Sequence, residues 1–463
     1  MTGQQTITGA VVDYIQGMTY ERIPAGVRTE LHRCLVDGLA VSLSGSRAAC
    51  SRIIREYIQQ TGLRGPCGIV GSRMKTTPAL AALANGVAAH ADDYDDTQLA
   101  ETPDRIYGLL THPTTPAIAS TLAVAQEVGA SGKEFFTAFC TAVEVECKLS
   151  EGINPKHYAQ GFHTTGTFGI FASVAAAAKL YKLTPQQTRF AFGIAASKSA
   201  GIRANFGTMT KPYHAGAAAE NGIVAAKLAA LGYEADPNAF DGQWGYFQVT
   251  GGGVDAGRII GHLGDPYTLS WPGVSVKPYP CGSLNHPSMD TLLDLLTEHD
   301  IRPEQVEEIR LGAGYNILNP LRYTDPQNEL EAKFSLQFCL GILALHRRAG
   351  IREFTDEVVR SPEARAMMAR VKTYHNQEIE AKGSEKMRSL VEVRLKDGRS
   401  FSREAFTSRG QPDRPMSRED MAVKFTDCAA GTLSSRRAKS ALETIYRVEE
   451  LAKVDELLQT VRA

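Results

Sequence analysis

Two runs of this sequence limit its fold more than anything else: "TTPALAALANGVAAHA" (76–91) and "HAGAAAENGIVAAKLAALG" (214–232). Read as helices, both are small and apolar nearly all the way round. A helix of that kind belongs inside a bundle whose backbones approach closely, not on a surface. The first run offers Thr77 as N-cap and Pro78 as first helical residue. The second ends at a Gly suited to the position just past a helix. "SGKEFFTAFCTAVEVECKL" opens with the capping box Ser131-x-x-Glu134, and "LTPQQTRFAFGIAAS" with Thr184-x-x-Gln187. Residues 5–265 therefore read as mostly helical.

The pattern breaks at "VTGGGVDAG" (249–257). Beyond it, "VEEIRLGAG" and "SLVEVRLKDGRSFSRE" alternate with period two, and Lys396-Asp397-Gly398 is a hairpin turn signal. Amphipathic helices such as "HPSMDTLLDLLTEH" lie between them. From "QPDRPMSREDMAVKF" onward the chain reads as helical again. The expected fold is mainly α: a large all-helical domain built from both chain ends (1–267 and 406–463) with a smaller α+β lid domain (268–405) inserted. The cleft between two such domains is the default ligand site.

Composition excludes several functions. A net charge of −1 over 463 residues leaves no basic field for nucleic acid. No apolar run reaches the roughly 18 residues that span a bilayer. The N-terminal stretch has no basic region followed by a continuous apolar one, so a cytoplasmic location is expected. The eight cysteines form no Cys-x-x-Cys pair, which removes zinc-ribbon and ferredoxin-like readings.

Five islands place polar groups and glycines where the surroundings read as buried. They are "AHADDYDDTQLAETPDRIYGLLTHP" with Asp93, Thr97 and His112; "QGFHTTGTFG" with His163; "GIRANFGTMTKPYHAGAAAENG" with Arg203, Lys211 and His214; "VKPYPCGSLNHPSMD" with Lys277 and His286; and "EAKFSLQFCLG" with Lys333. Taken singly each is unremarkable: an acidic run solvates and caps a loop end, a histidine near a helix start is a hydrogen-bonder, Thr-Lys-Pro is a turn. The acidic run lacks the spacing and glycine of a calcium loop, so no metal is expected. Taken together they suit a small polyanion. Lysines and histidines hold carboxylates, a histidine near neutrality moves a proton, and a neighbouring Asp fixes its tautomer. Proton abstraction beside a carboxylate builds charge that only fixed donors in a dry cleft can stabilise.

In order and wording, these islands resemble the MmgE/PrpD family, which includes 2-methylcitrate dehydratases, cis-aconitate decarboxylases and iminodisuccinate epimerases. The resemblance covers nearly the whole chain. It implies a helical domain with an α+β lid, a homodimer joined through the helical domain, no metal or cofactor, and a small polycarboxylate substrate. Residue by residue it implies a site of Asp93, Thr97, His112, His163, Lys211 and His286, with Arg203 and Lys277 as substrate-binding candidates. In that scheme Asp93 and Thr97 orient and hydrogen-bond, His112 or His163 transfers protons, and Lys211 and His286 hold carboxylates. The remaining aspartates are expected to cap and solvate the loop end. The spacer from Thr97 to His112 is longer than in the family's decarboxylases. Phe338 stands where that branch has a tyrosine, and its lack of a hydroxyl argues against cis-aconitate decarboxylation. "GIAASKSAGIRANFGTMTKP" looks more like the epimerases. The leading expectation is a cofactor-independent lyase. An epimerase using the same first step and a non-catalytic carboxylate binder are the alternatives. His112 and His163 on opposite walls of the cleft would favour the epimerase, and both on one wall the lyase.

Overall fold

The computed structural model describes residues 5–100 and 107–463. Those residues are mainly helical and pack around two large apolar cores. One core joins residues from 7–276 to residues from 421–461; the other is built from residues 279–405 together with Phe206. No described helix is long and apolar enough to cross a membrane.

The small apolar runs form the centre of the first core. Helices Pro78–His90, Thr114–Val128, Thr164–Leu180 and Thr210–Ala230 lie against one another. Their ends follow local chemistry. Thr77 is the N-cap before Pro78. Ser131 with Glu134 and Thr184 with Gln187 form reciprocal capping boxes. The Thr210–Ala230 helix stops before Gly232, whose φ is 91°.

Glycine is required where Pro78–His90 crosses Thr210–Ala230. A Cβ on Gly86 would lie 2.7 Å from Gly216 Cα, and one on Gly216 would lie 2.5 Å from the carbonyl oxygen of Leu83. With no side chain at either position the two backbones touch. That contact sets the last residue of one helix, His90, against the first turn of the other, which carries Lys211.

The second core sits under a four-stranded sheet ordered Val371–His375, Val306–Ala313, Ser389–Leu395, Ser400–Ala405. The first pair is parallel and the other two are antiparallel. Gly398, at φ 89°, turns the hairpin between the last two strands. Helices His286–Glu298 and Leu336–His346 cover the sheet.

Two junctions join the units. Strand Thr97–Gln98 pairs with Val274–Ser275, which pins the acidic loop to the segment entering the second unit. Phe206 stacks on Phe334 with ring centroids 5.6 Å apart, and its carbonyl accepts from the Tyr323 hydroxyl at 3.1 Å and from Arg322 Nη2 at 3.3 Å.

Candidate active site

The acidic loop does not cap a solvated helix end. Asp93, Asp95 and Asp96 are buried, and each carboxylate has its own partners. Asp93, at φ 51°, accepts from Lys211 Nζ at 2.6 Å and from Lys277 Nζ at 3.0 Å. Asp95 accepts from His90 Nδ1 at 2.8 Å and from Thr115 Oγ1 at 2.6 Å. Asp96 holds the Thr114 hydroxyl and backbone N–H. Asp92, nearer the surface, takes the Ser44 hydroxyl at 2.6 Å and lies 3.6 Å from Lys333 Nζ. The expectation that most of these aspartates face water is overturned. Each is drawn inward by a donor from a distant part of the chain, as a buried charge must be.

Around them four imidazoles pack ring against ring. Centroids are 4.8 Å apart for His90 and His112, 5.6 Å for His90 and His163, 6.5 Å for His112 and His163, and 5.2 Å for His163 and His214. Three histidines have their tautomer fixed by a partner. His112 Nδ1 donates to the Asp96 carbonyl at 2.6 Å, which leaves Nε2 unprotonated. His90 donates from Nδ1 to Asp95, so its Nε2 accepts from Lys211 at 2.9 Å. His286, on the second unit, donates from Nε2 to the Cys281 carbonyl at 3.2 Å. His163 is different. Its Nδ1 meets His214 Nδ1 at 3.0 Å, and its Nε2 is buried without a partner among the described residues. One oxygen of Asp93, Oδ2, is likewise buried and unpartnered.

Electrostatics keep the histidines neutral. Burial, and then the Lys211 ammonium, hold His163 well below its ordinary value. Burial also holds His112 well below, although Asp95 pulls the other way. His214 is lowered to about 4 by burial and by the neighbouring His90 and Lys211, and His286 to about 3 by burial and Lys277. Burial pushes the Asp93 carboxyl up, but Lys211 and Lys277 overcome it and hold the group well below the usual carboxylate range. Asp96, buried and facing Asp37, is raised to about 7.

Local structure adds a favourable field. His163 is the N-cap of Thr164–Leu180, Lys211 lies in the first turn of Thr210–Ala230, and His112 stands two residues before Thr114–Val128. Three helix N-termini therefore open on the cluster, where backbone N–H groups and the helix dipole favour an anion. Lys211 gives one hydrogen to Asp93 and one to His90, which leaves a third for a ligand.

His90, Asp93 and His112 lie close enough for one nitrogen or oxygen of each to face a single metal ion. They fit a cation poorly. Asp93 is already shared by two ammonium groups, and His90 has both nitrogens engaged. A metal at that point would face Lys211 and Lys277 at close range.

The structure brings Asp93, Thr97, His112, His163, Lys211 and Lys277 together. Thr97 Oγ1 lies 2.6 Å from Ser283 Oγ and 3.5 Å from His112 Nδ1. His286 is buried on the second unit, close enough to Lys277 and Asp93 to feel their charge. Arg203 stacks over the Tyr158 ring at 4.0 Å and donates to the Tyr158 carbonyl at 3.0 Å, with its Nε buried and without a partner among the described residues. Phe338 is off the cleft, buried in the second core with its ring 5.2 Å from Phe354. Its missing hydroxyl therefore carries no message about decarboxylation. Residues 101–106, part of the long spacer, lie outside the described residues.

Sequence reasoning passed over His90 and Asp95, which orient Lys211. Their signal was a histidine five residues before an aspartate at a helix end. It also passed over Lys424, on helix Arg418–Ala429. Lys424 lies 2.5 Å from Asp37 and donates to the carbonyls of Tyr94 at 2.9 Å and Lys277 at 2.8 Å. A surface cavity of about 830 Å³, lined by Tyr20, Lys133 and Tyr181 among others, contains none of these groups.

The MmgE/PrpD N-terminal domain model matches residues 9–258, and the MmgE/PrpD C-terminal domain model matches residues 279–450. The chain belongs to the MmgE/PrpD family. A cis-aconitate decarboxylase of Mus musculus is 25% identical over 465 residues, covering 96% of this chain and 91% of that protein. The Homo sapiens cis-aconitate decarboxylase is 26% identical, covering 96% and 92%. One from Aspergillus terreus is 22% identical, covering 98% and 95%. Across this MmgE/PrpD chain the cluster draws on both matched regions, from His90 to Lys333.

Proposed function

We propose that this protein is a cofactor-independent lyase acting on a small di- or tricarboxylate, by decarboxylation or dehydration beside a carboxylate. One observation carries the choice over an epimerase. The relatives that match along 96% of the chain are cis-aconitate decarboxylases, whose reaction is a lyase reaction. The resemblance to cis-aconitate decarboxylases supports the same class.

In this reading a substrate carboxylate takes the third N–H of Lys211 and lies among the helix N-termini. In a dehydration, His112 or His163 removes the C–H proton at its Nε2, and the imidazolium so formed gives a proton to the departing hydroxyl. In a decarboxylation the C–CO2 bond breaks, its electron pair stays on the carbon, and His163 protonates that carbon. Either way, charge grows on oxygens already facing fixed donors. Entry needs the two units to part, because the cluster is buried: His163 is 1% and Lys211 4% exposed.

The test is incubation with a panel of small polycarboxylates in D2O, followed by NMR. A lyase yields a new alkene or a molecule short of one carboxylate. Exchange with inversion at carbon and no loss of mass would replace this reading with the epimerase.

A further inference from the structure

His90, His112 and His286 each face a group that only accepts, or a lysine that only donates, so their tautomers are locked. The Nδ1 atom of His163 alone among these meets an atom of its own kind, His214 Nδ1, across 3.0 Å. In such a contact one nitrogen carries the hydrogen and the other the lone pair; the two neutral arrangements differ also at both Nε2 atoms, so the Nδ1 hydrogen crosses only as His163 Nε2 gains or loses a proton. His163 Nε2, buried and free, then reads as a lone pair in one arrangement and as an N–H in the other.

The fold makes room for this contact. A Cβ on Gly166 would lie 3.1 Å from His214 Cβ and 2.6 Å from the Ala200 carbonyl. Gly201, at φ 141°, has its missing Cβ 3.4 Å from the His214 ring. The Gly201 carbonyl also accepts from the backbone N–H of His163 at 3.0 Å. His214 follows Lys211 by three residues on helix Thr210–Ala230, so both project from one face. The charged and titratable groups facing the pair are Lys211 from that helix, His90 from the end of Pro78–His90, and His112 from the segment before Thr114–Val128. The Phe206 ring closes the edge of His163 at 4.9 Å.

We propose that His214 is the positioning residue that lets His163 change between base and acid, by taking and returning the Nδ1 hydrogen. The inference rests on His163 being a proton-transfer group, as proposed above. When His163 acts as base, a substrate C–H bond breaks and its electron pair stays on carbon. The proton goes to His163 Nε2, and the Nδ1 hydrogen passes to His214 Nδ1. His163 ends neutral with an N–H facing the substrate, and His214 carries the charge. When His163 acts as acid, its Nε2 proton leaves for substrate, His214 returns a hydrogen to Nδ1, and the pair is neutral again. No other reactant is needed.

The test uses full-length protein labelled with 15N-histidine, with His214→Leu and His214→Asn variants. In the wild type without substrate, His163 should show Nδ1 and Nε2 shifts intermediate between protonated and bare nitrogen. His90 and His112 should show a protonated Nδ1, and His286 a protonated Nε2. His214→Leu should fix one His163 tautomer and lower kcat about 10²-fold with KM within about threefold. His214→Asn keeps a donor and acceptor near Nδ1 but cannot hold a proton. It should restore KM and thermal stability while kcat stays at least about tenfold down and its pH profile flattens. A wild-type His163 locked in one tautomer would overturn the proposal, as would full recovery of kcat by His214→Asn. The shifts are read without substrate. If they are intermediate and no polycarboxylate is turned over, the lyase reading has failed and the His163–His214 exchange has not.

Discussion

Two buried ionic groups in this molecule look alike in composition and differ in completeness. In the second unit, Asp290 accepts from Tyr279 at 2.5 Å, from the backbone N–H of Arg409 at 2.6 Å, and from the Arg409 guanidinium at 3.1 Å, which also donates to the Tyr279 hydroxyl at 2.8 Å. Neither Asp290 oxygen is left without a donor. Around Asp93 two ammonium groups share one carboxylate oxygen, and Asp93 Oδ2 and His163 Nε2 are buried with no hydrogen-bond partner among the described residues. Unmet buried polar atoms cost about 1–3 kcal/mol each. Saturation suits the Asp290 group to a scaffold, and open valence, together with the helix N-termini around it, suits the Asp93 group to the ligand-holding role proposed above.

The sharpest way to break this contrast is at the two free imidazole positions. His112→Asn keeps a donor for the Asp96 carbonyl, and His163→Asn keeps a partner for His214, so each removes chiefly the reactive nitrogen. We expect kcat to fall by roughly 10²–10⁴ in either, with Tm within a few degrees of the wild type. Variants that lose stability and keep activity per folded molecule would reduce both histidines to core hydrogen-bonders.

Lys211→Ala should have the next largest effect. It removes a donor with a spare hydrogen, and a charge-assisted bond to a carboxylate is worth about 1.5–3 kcal/mol. We expect at least a tenfold loss in kcat/KM, mostly as a higher KM. Unchanged steady-state kinetics would make Lys211 a partner of Asp93 and nothing more.

The saturated group should respond in the opposite sense. Asp290→Asn is expected to lower stability by about 2 kcal/mol, less than a fully dry pair would lose because Arg409 is partly exposed. Its kcat should match the wild type. A large fall in kcat at constant stability would erase the distinction between scaffold and site.

A gentler test is the pH profile. His112 and His163 must be neutral to act as bases, and both are held below the ordinary histidine value, so activity should be lost on the acid side only. The acid limb of kcat/KM should fall below about pH 6.5, the unperturbed value. Bound carboxylates would stabilise the imidazolium forms, so the limb of kcat should sit at higher pH than that of kcat/KM. A shared limb at or above pH 6.5 would mean that neither buried histidine is the titrating group.

The smallest effect is a predicted absence. Since Lys211 and Lys277 occupy Asp93, EDTA should leave activity unaltered. Loss on chelation with recovery on adding a divalent ion would show that the His90–Asp93–His112 group holds a metal after all.

Features written over a few adjacent residues were legible in the sequence. The Ser131/Glu134 and Thr184/Gln187 boxes and the Lys396–Gly398 hairpin are contacts within three or four positions, so residue type and spacing determine them. Strand Val371–His375 was missed. It pairs in parallel with a strand some sixty residues earlier, and it shows no two-residue alternation because only Val371 is buried. The site divides in the same way. The residues that Asp93, His112, His163 and Lys211 belong to can be picked out as polar islands in apolar text. Their roles cannot, because a role depends on the partner. His90 reads as a helix-end histidine until Asp95 and Lys211 are seen on its two nitrogens. Asp95 and Asp96 read as solvated until Thr114 and Thr115 are seen to reach them. Arg203 reads as a bare cation until its contacts with the Tyr158 ring and carbonyl are seen.

Lys424 has a consequence for how the protein is made. It ties together the Tyr94 and Lys277 carbonyls, the neighbours in sequence and in space of the Asp93–Lys277 contact. On the ribosome, every group of the cluster from His90 to Lys333 is synthesised well before that lysine leaves the exit tunnel. A nascent chain that has already folded its alanine-rich helices and its sheet still lacks the fastening that sets Asp93 against its lysines. The helix that begins at Arg418 therefore closes two things in one step, the last part of the first apolar core and the tie that Lys424 makes beside Asp93.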